Sequence, residues 1–113
     1  MPTGNEVEAR ELQLFVENDA DLYRQQTLPI IKNLRTKQAR GTYHREKAVL
    51  AFMHLAESGA KKYARENGSG EADWHRMFPT TARRLAAAAW RDEFEQESAL
   101  GNYDDLLPKK YKK

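Results

Sequence analysis

The sequence contains no cysteine, which excludes disulfide bonds, thiolate metal sites and cysteine nucleophiles. It has no apolar run near the roughly 20 residues that a membrane-spanning helix requires. Its first residues, up to Glu6, lack the apolar core of a signal peptide. From these absences we expect a protein that stays in the cytoplasm and has no membrane partner.

The sequence also has few of the residues that favour β-strands. Valine, isoleucine and threonine are scarce, and no run alternates apolar with polar residues. Apolar residues recur instead at helical spacing, and 113 residues with 40% hydrophobic content suffice for one buried core. The sequence therefore predicts an all-α fold, a compact bundle of three to four main helices with a short extra helical turn. We expect a single helical domain over residues 1–107 and a flexible basic tail over residues 108–113.

Capping residues and helix breakers set the expected bounds of the helices. We expect helices over residues 5–17, 20–38, 44–66 and about 80–99, with a helical turn near residues 73–78. Asn5, Asp19 and His44 occupy the expected N-cap positions. Pro29 lies inside the second segment and cannot donate a backbone hydrogen bond. We therefore expect a kink there, or two shorter helices that meet near Leu28.

The segment over residues 44–66 has the clearest amphipathic pattern. Its apolar residues fall in one stripe roughly 120° wide, which predicts the buried face. The stripe consists of Val49, Phe52, Met53, Ala56, Gly59, Ala60 and Tyr63. A glycine inside a helix costs on the order of 1 kcal/mol relative to alanine, so we expect Gly59 to allow another helix to approach closely.

The net charge of +2 conceals a segmented pattern. Residues 24–65 hold ten Lys or Arg against two acids, whereas residues 1–23 hold six acids against one Arg. Residues 66–107 hold nine acids against four Arg. Either the acidic flanks neutralise the basic centre in the fold, or the centre keeps a basic face for an anionic partner.

The search for catalytic motifs finds no recognisable constellation. The sequence has neither a phosphate-binding loop nor a GxSxG motif, and no serine has a histidine and an acid at a catalytic spacing. Glu71 and His75 are four residues apart, which metal ligands on a helix can be, but no HExxH motif or second pair completes a site. The acids over residues 92–97 indicate a solvated acidic face. We therefore expect no enzyme activity, no cofactor and no metal site.

A basic face is the strongest functional candidate. It comprises seven positions, three on the second predicted helix and four on the third. The four on the third helix lie nearly opposite its apolar stripe. They are Arg24, Lys32, Arg35, Lys47, His54, Lys61 and Arg65. Such a face can bind a protein partner or follow a phosphate backbone, and His54 adds a charge when it is protonated. The alternative is an outward helix face that is only solvated.

Several short stretches of the chain resemble one set of proteins. They are Glu11-Leu12-Gln13-Leu14-Phe15-Val16-Glu17-Asn18-Asp19, Leu22-Tyr23, Pro29-Ile30-Ile31-Lys32-Asn33-Leu34, Gly41-Thr42-Tyr43, Gly59-Ala60-Lys61-Lys62-Tyr63 and Phe94-Glu95. Over about residues 11–103, the chain resembles uncharacterised short helical proteins carried on bacterial plasmids, integrative elements and phages. The resemblance implies a mobile-element origin, but no activity and no site residue. Where that set often has an aspartate as a helix cap, this chain has His44, so we expect a weaker cap here.

The function that we expect is binding. We expect a non-enzymatic accessory protein of a bacterial mobile element that binds a macromolecular partner, such as a host protein or a component of host defence. One alternative is a nucleic-acid-binding protein that uses the basic face. The other is a small enzyme, which no motif in the sequence supports.

Overall fold

Helices make up most of the chain that the structure describes. The computed structural model describes residues 4–67 and 70–112, and these ranges contain no β-strand. The α-helices are α1 (Gly4–Glu17), α2 (Ala20–Leu22), α3 (Leu28–Arg40), α4 (Arg45–Glu66), α5 (Trp74–Met77) and α6 (Thr80–Ala99). A π-helical turn (Tyr23–Thr27) joins α2 to α3, and a 3-10 turn (Glu71–Asp73) precedes α5. The predicted all-α bundle is confirmed.

Helix α4 packs against both α6 and α1, and α1 also packs against α6. Arg45 at the start of α4 forms ion pairs with Asp92 and Glu95 towards the end of α6, so these two helices run antiparallel. The face of α6 that is buried is rich in alanine. Its buried residues are Ala82, Ala86, Ala87, Trp90 and Phe94. Small side chains at these positions allow the two helix axes to lie close together.

Gly59 marks a close approach of α1 to α4. A Cβ atom at this position would collide with Cγ2 of Val16 and lie 3.4 Å from Cδ1 of Leu12. Both of those side chains are buried. The prediction that Gly59 admits a neighbouring helix is therefore confirmed, and its helix-propensity cost is offset by the packing that it permits.

The predicted break near Pro29 is also confirmed. Asp19 caps α2 by accepting a hydrogen bond from the backbone N–H of Leu22 at 2.9 Å. The π turn follows, and the N–H of Leu28 donates to the carbonyl of Tyr23, five residues earlier. Because Pro29 has no N–H, the ordinary helical ladder cannot continue through it. A helix of regular pitch therefore restarts only at Leu28.

The buried face of α4 is wider than the predicted stripe and rotated from it. Three stripe residues are only half-buried, namely Val49, Met53 and Tyr63. Three residues outside the stripe are buried, namely Ala48, Leu55 and Ala64. Helix α4 contacts α1, α3, α5 and α6, so its buried surface extends around more of the helix than a single stripe.

Several large apolar residues of the helices lie at the surface. Val7 and Leu14 on α1 and Leu85 on α6 are all exposed. The buried residues of α1 are Ala9, Leu12 and Val16, which are spaced three and four apart. Helical spacing is equally good for either set. The neighbouring helices determine which set is buried. Ala9, Leu12 and Val16 are buried because the small Ala9 and the contact at Gly59 bring α1 against α4 and α6.

The last described residues form two further 3-10 turns, Asp104–Leu106 and Lys109–Tyr111. Leu107, between them, is buried. Tyr111 lies in the segment predicted to be a flexible tail, and its hydroxyl accepts a hydrogen bond from Nε of Arg40 at 3.0 Å. The tail is thus placed beside the end of α3, while its flexibility stays a prediction.

Candidate functional site

Ion pairs hold several of the predicted basic-face residues, among them Arg24, Arg35 and Lys61. Arg24 of the π turn pairs with Asp21 of α2 at 2.7 Å, and Lys61 pairs with Glu57 within α4 at 3.1 Å. Arg35 pairs with Asp104 at 3.0 Å, across to the C-terminal segment. These contacts neutralise part of the charge that the sequence pattern assigns to the basic face.

The seven predicted residues extend along two helical segments of the surface. Lys32, Lys47, His54 and Arg65 are exposed. Lys47 and Arg65 are 18 positions apart on α4, which separates them by about 27 Å along the helix axis at 1.5 Å per residue. Lys61 and Arg65 line a depression together with Asp21, whereas Arg35 lies beside the C-terminal segment.

The acidic flanks of the chain neutralise much of its basic centre. Arg45 pairs with Glu95 at 2.9 Å, and Lys62 pairs with Asp19 at 2.6 Å. Burial acts to raise the pKa of Glu95, but hydrogen bonds from Arg45 and from the Tyr43 hydroxyl outweigh it, so that pKa is lowered. For Arg45 and Lys62, the acidic flanks therefore neutralise the basic centre within the fold, which was one of the two alternatives that the charge pattern left open.

An open groove lies between α4 and α6. Its apolar floor is formed by Val49, Leu50 and Met53, and Leu50 is 63% exposed. Its polar walls are formed by Glu46, His54 and Glu57 of α4 and by Arg83, Arg84 and Arg91 of α6. We call this surface the α4–α6 groove. Of the predicted basic face, it includes His54, and Lys47 adjoins it because it lies three positions from Leu50 on one helix face.

The arginines of the α4–α6 groove differ in how strongly they are held. Nε of Arg83 donates to the carbonyl of Phe78 at 2.9 Å, and its guanidinium lies over the Trp74 ring. Arg91 pairs with Asp92 at 3.0 Å. Arg84 is exposed and has no ion pair within the described ranges. Arg84 is therefore the groove cation that is most available to a partner.

A separate cavity of about 180 Å³ opens at the π turn. Residues from α1, the π turn, α3, α4 and α6, together with Tyr103, line it. The lining residues are Val16, Glu17, Tyr23, Thr27, Ile31, Phe52, Leu55, Trp90, Glu93, Phe94 and Tyr103. We call this space the π-turn cavity. Most of its wall is apolar or aromatic, and its polar groups are two carboxylates, two phenols, one aliphatic hydroxyl and the indole N–H of Trp90.

The polar groups of the π-turn cavity interact with each other. Burial, followed by the carboxylates of Glu17 and Glu97, raises the pKa of Glu93. Burial, together with Glu93 and Glu97, raises the pKa of Tyr103 to about 12. Oγ1 of Thr27 is buried and has no hydrogen-bond partner in the part of the chain that the structure describes. The cavity therefore concentrates negative charge, and an unsatisfied hydroxyl belongs to a residue of its wall.

The sequence pattern did not identify the residues of the π-turn cavity. Glu93 was assigned to a solvated acidic face, and Tyr103 to the region after the last helix. Their meeting depends on tertiary packing, which no local spacing encodes. The one available signal was Pro29, because a helix break beside aromatic residues indicates irregular backbone, and π turns occur frequently at functional sites.

Within residues 4–67 and 70–112, no cluster of three or more histidine or acidic side chains is arranged to hold a metal ion. The side chain of Glu71, one half of the pair considered with His75, lies outside the described residues. No helix in the same ranges is long and apolar enough to cross a membrane.

Comparisons of the chain with protein-family models, with curated proteins and with solved structures find no significant match. Its function is therefore inferred from the chemistry of its own residues.

Proposed function

We propose that this protein is a non-enzymatic accessory protein of a bacterial mobile element that acts in the cytoplasm by binding a protein partner. The binding surface is the α4–α6 groove, and its occupant is an acidic amphipathic helix of the partner. The observation that carries this proposal is the 63% exposure of Leu50 in a groove with three arginines on its walls. The mobile-element origin is supported by the sequence resemblance alone.

The apolar floor of the groove supports a helical occupant. A leucine side chain gains about 1.5–3 kcal/mol when it moves from water into an apolar environment. Leu50 is accompanied in the floor by the half-buried Val49 and Met53. A trough between two helices accepts apolar anchors that repeat every three or four residues along a third helix. Burial of Leu50 by such anchors would supply the main binding free energy.

The charges around the floor support an acidic occupant. Arg84 is exposed, and Lys47 and His54 flank Leu50 on the surface of α4 because they lie three and four positions from it. Glu57, on the same wall as His54, is already neutralised by Lys61 at 3.1 Å. Acidic residues on the partner would pair with these cations, speed encounter and exclude basic competitors.

A nucleic-acid partner is less well supported. The cations of the predicted basic face are spread over about 27 Å of α4 and over α3, and Arg24, Arg35 and Lys61 are paired with carboxylates. A phosphate backbone would also leave the exposed Leu50 unused. Non-specific nucleic-acid binding depends on several free cations that together displace counterions.

The test uses two short helical peptides with the same leucine spacing, one flanked by glutamates and the other by lysines. We expect the glutamate peptide to bind about tenfold more tightly by fluorescence anisotropy, and added salt to weaken it. Leu50→Asp and Arg84→Glu should each weaken it about fivefold or more. The matched control is Leu100→Asp, because Leu100 is 73% exposed but lies outside the groove.

Capture from nuclease-treated host lysate then identifies the natural partner. A captured protein supports the proposal only if Leu50→Asp and Arg84→Glu abolish capture and Leu100→Asp does not. Equal binding of both peptides, or loss of capture after nuclease treatment, would contradict it. The second result would favour the nucleic-acid alternative.

A further inference from the structure

The π-turn cavity has the composition of a ligand site. We infer that it binds a small organic cation, with an apolar body among its aromatic and aliphatic walls and an ammonium group between Glu17 and Glu93. This site is separate from the α4–α6 groove, because the two share no lining residue.

The volume of the cavity limits the size of the ligand. At about 180 Å³ it is comparable to an engineered apolar cavity of about 150 Å³ that binds benzene. A ligand with a single ring or a short branched alkyl chain would fill it. The walls suit such a body, because Phe52 and Leu55 are buried and Ile31 completes the aliphatic side.

The aromatic rings of the wall favour a cation. Phe52 and Trp90 form one tilted pair with ring centroids 6.4 Å apart, and Phe94 and Tyr103 form a stacked pair at 5.7 Å. All four rings line the cavity, as does Tyr23. The faces of such rings attract ammonium groups, and sets of rings recognise alkylated ammonium ligands in this way.

The carboxylates determine the sign of the charge. Glu17 and Glu93 line the cavity and are exposed, so they lie at its opening. Neither they nor Glu97 has an ion pair in the described ranges, and the two neighbours raise the pKa of Glu93. A bound ammonium group would neutralise this repulsion, whereas a carboxylate or phosphate ligand would increase it.

Thr27 adds an independent indication of a ligand. Its Oγ1 atom is buried without a hydrogen-bond partner among the described residues, although Thr27 lines the cavity. Leaving a buried hydroxyl unpaired is unfavourable, and such groups often mark places where a ligand or water completes the structure. An ammonium group can donate three hydrogen bonds, and the carboxylates of Glu17 and Glu93 supply acceptors for them at the opening of the cavity.

The probes are benzylamine, benzyl alcohol and benzoate, which share one ring and differ in charge. Binding is followed in NMR spectra by the indole N–H signals of the two tryptophans. Trp90 lines the cavity and Trp74 does not, so Trp74 is an internal control. We expect benzylamine to shift the Trp90 signal and to bind about tenfold more tightly than benzyl alcohol, and benzoate to bind more weakly still.

Variants separate charge from shape. Glu93→Gln keeps the size of the side chain and should weaken benzylamine about fivefold without changing the affinity for benzyl alcohol. Glu66→Gln removes the same charge from an exposed position outside the cavity and should have no effect. Leu50→Asp should also leave benzylamine binding unchanged, so failure of this site and failure of the groove proposal are distinguishable.

Several results would overturn the inference. Equal affinities for benzylamine and benzyl alcohol would reduce the cavity to an apolar packing defect. Equal loss in Glu93→Gln and Glu66→Gln would indicate only general attraction to acidic surface. A shift of Trp74 without Trp90 would place binding elsewhere on the protein.

Discussion

Val16 separates two regions of the core that are packed very differently. On one side, its Cγ2 atom occupies the space that a Cβ at position 59 would need, so α1 and α4 meet through Gly59. On the other side, Val16 lines the π-turn cavity of about 180 Å³. The first region has no room for a methyl group, whereas the second has room for a small molecule.

The difference follows from the backbone. In the first region, regular helices with small residues at their contacts mesh closely, as helices of regular pitch do. In the second, Pro29 removes a backbone donor and the chain forms a π turn, which contributes Tyr23 and Thr27 to the cavity wall. Close packing supplies stability, and the departure from it supplies the candidate ligand site.

The largest expected effect is at Gly59. Gly59→Ala should lower the free energy of unfolding by up to about 2 kcal/mol, because overpacking of a core costs about 1–3 kcal/mol and the gain in helix propensity returns about 1 kcal/mol. Val16 must move to make room, and the cavity behind it limits the cost. Urea denaturation of the wild type and the variant measures the change.

Gly4→Ala is the matched control, since a Cβ at Gly4 would have no atom within 4 Å. It should change the free energy of unfolding by less than about 0.5 kcal/mol. Val16→Ala should be less destabilising in the Gly59→Ala background than in the wild type, because the two positions contact each other. Additive effects would show that α1 and α4 are not in close contact there.

The second prediction concerns the loosely packed region, where we expect a substitution to raise the free energy of unfolding and not to lower it. Thr27→Val replaces a buried, unpaired hydroxyl with a methyl group of similar volume. Removing an unsatisfied polar group should raise the free energy of unfolding by about 0.5–1 kcal/mol, measured by the same urea titration. An added methyl group is therefore expected to destabilise the protein at Gly59, on one side of Val16, and to stabilise it at Thr27, on the other side.

Thr36→Val serves as the comparison for this substitution. The Thr36 hydroxyl already donates to the carbonyl of Lys32 at 2.9 Å, so its loss should be neutral or slightly destabilising. If Thr27→Val destabilises the protein by more than Thr36→Val, the Thr27 hydroxyl has a partner in solution, and the contrast between the two regions is weaker than described.

Much of the fold was predictable because local chemistry determines it. Asp19 is a strong N-cap, and its carboxylate accepts a hydrogen bond from the backbone N–H of Leu22. Pro29 is tolerated only in the first turn of a helix, which is where it lies in α3. Gly59 in an apolar stripe indicated a close helix contact. His44 occupies the predicted N-cap position of α4 but makes no side-chain capping hydrogen bond, in keeping with the weaker cap that was expected.

The candidate sites were less predictable because they combine distant parts of the chain. Leu85 lies beside the buried Ala86 on α6 and yet is 40% exposed, since periodicity locates an apolar face but does not identify its neighbours. Glu93 looked like one more acid on a charged helix. Only the packing of α1 against α6 brings Glu17 near it, and those two helices are separated by more than sixty residues.

The smallest expected effect is a pH dependence of stability that comes from Glu93 in the loosely packed region. Burial, with Glu17 and Glu97, raises the pKa of Glu93 above its ordinary value of 4.5. A carboxyl with a raised pKa holds its proton more tightly in the folded protein than in the unfolded chain. Its favourable contribution is therefore complete below the unfolded pKa and is lost as the pH rises through the folded pKa.

Glu93→Gln removes this titration and should raise Tm by roughly 1–2 °C at neutral pH, since largely exposed charges act on the scale of tenths of a kcal/mol. Below the ordinary carboxyl pKa the two proteins should melt together, because Glu93 is then protonated and resembles glutamine. Circular dichroism melts over this pH range measure the difference, with Glu66→Gln as the control.

A rise in Tm that is equal at every pH would mean that shape and not charge separates the two side chains. A fall at neutral pH would mean that a cation of the protein already pairs with Glu93, and the opening of the cavity would then not be an uncompensated acidic site.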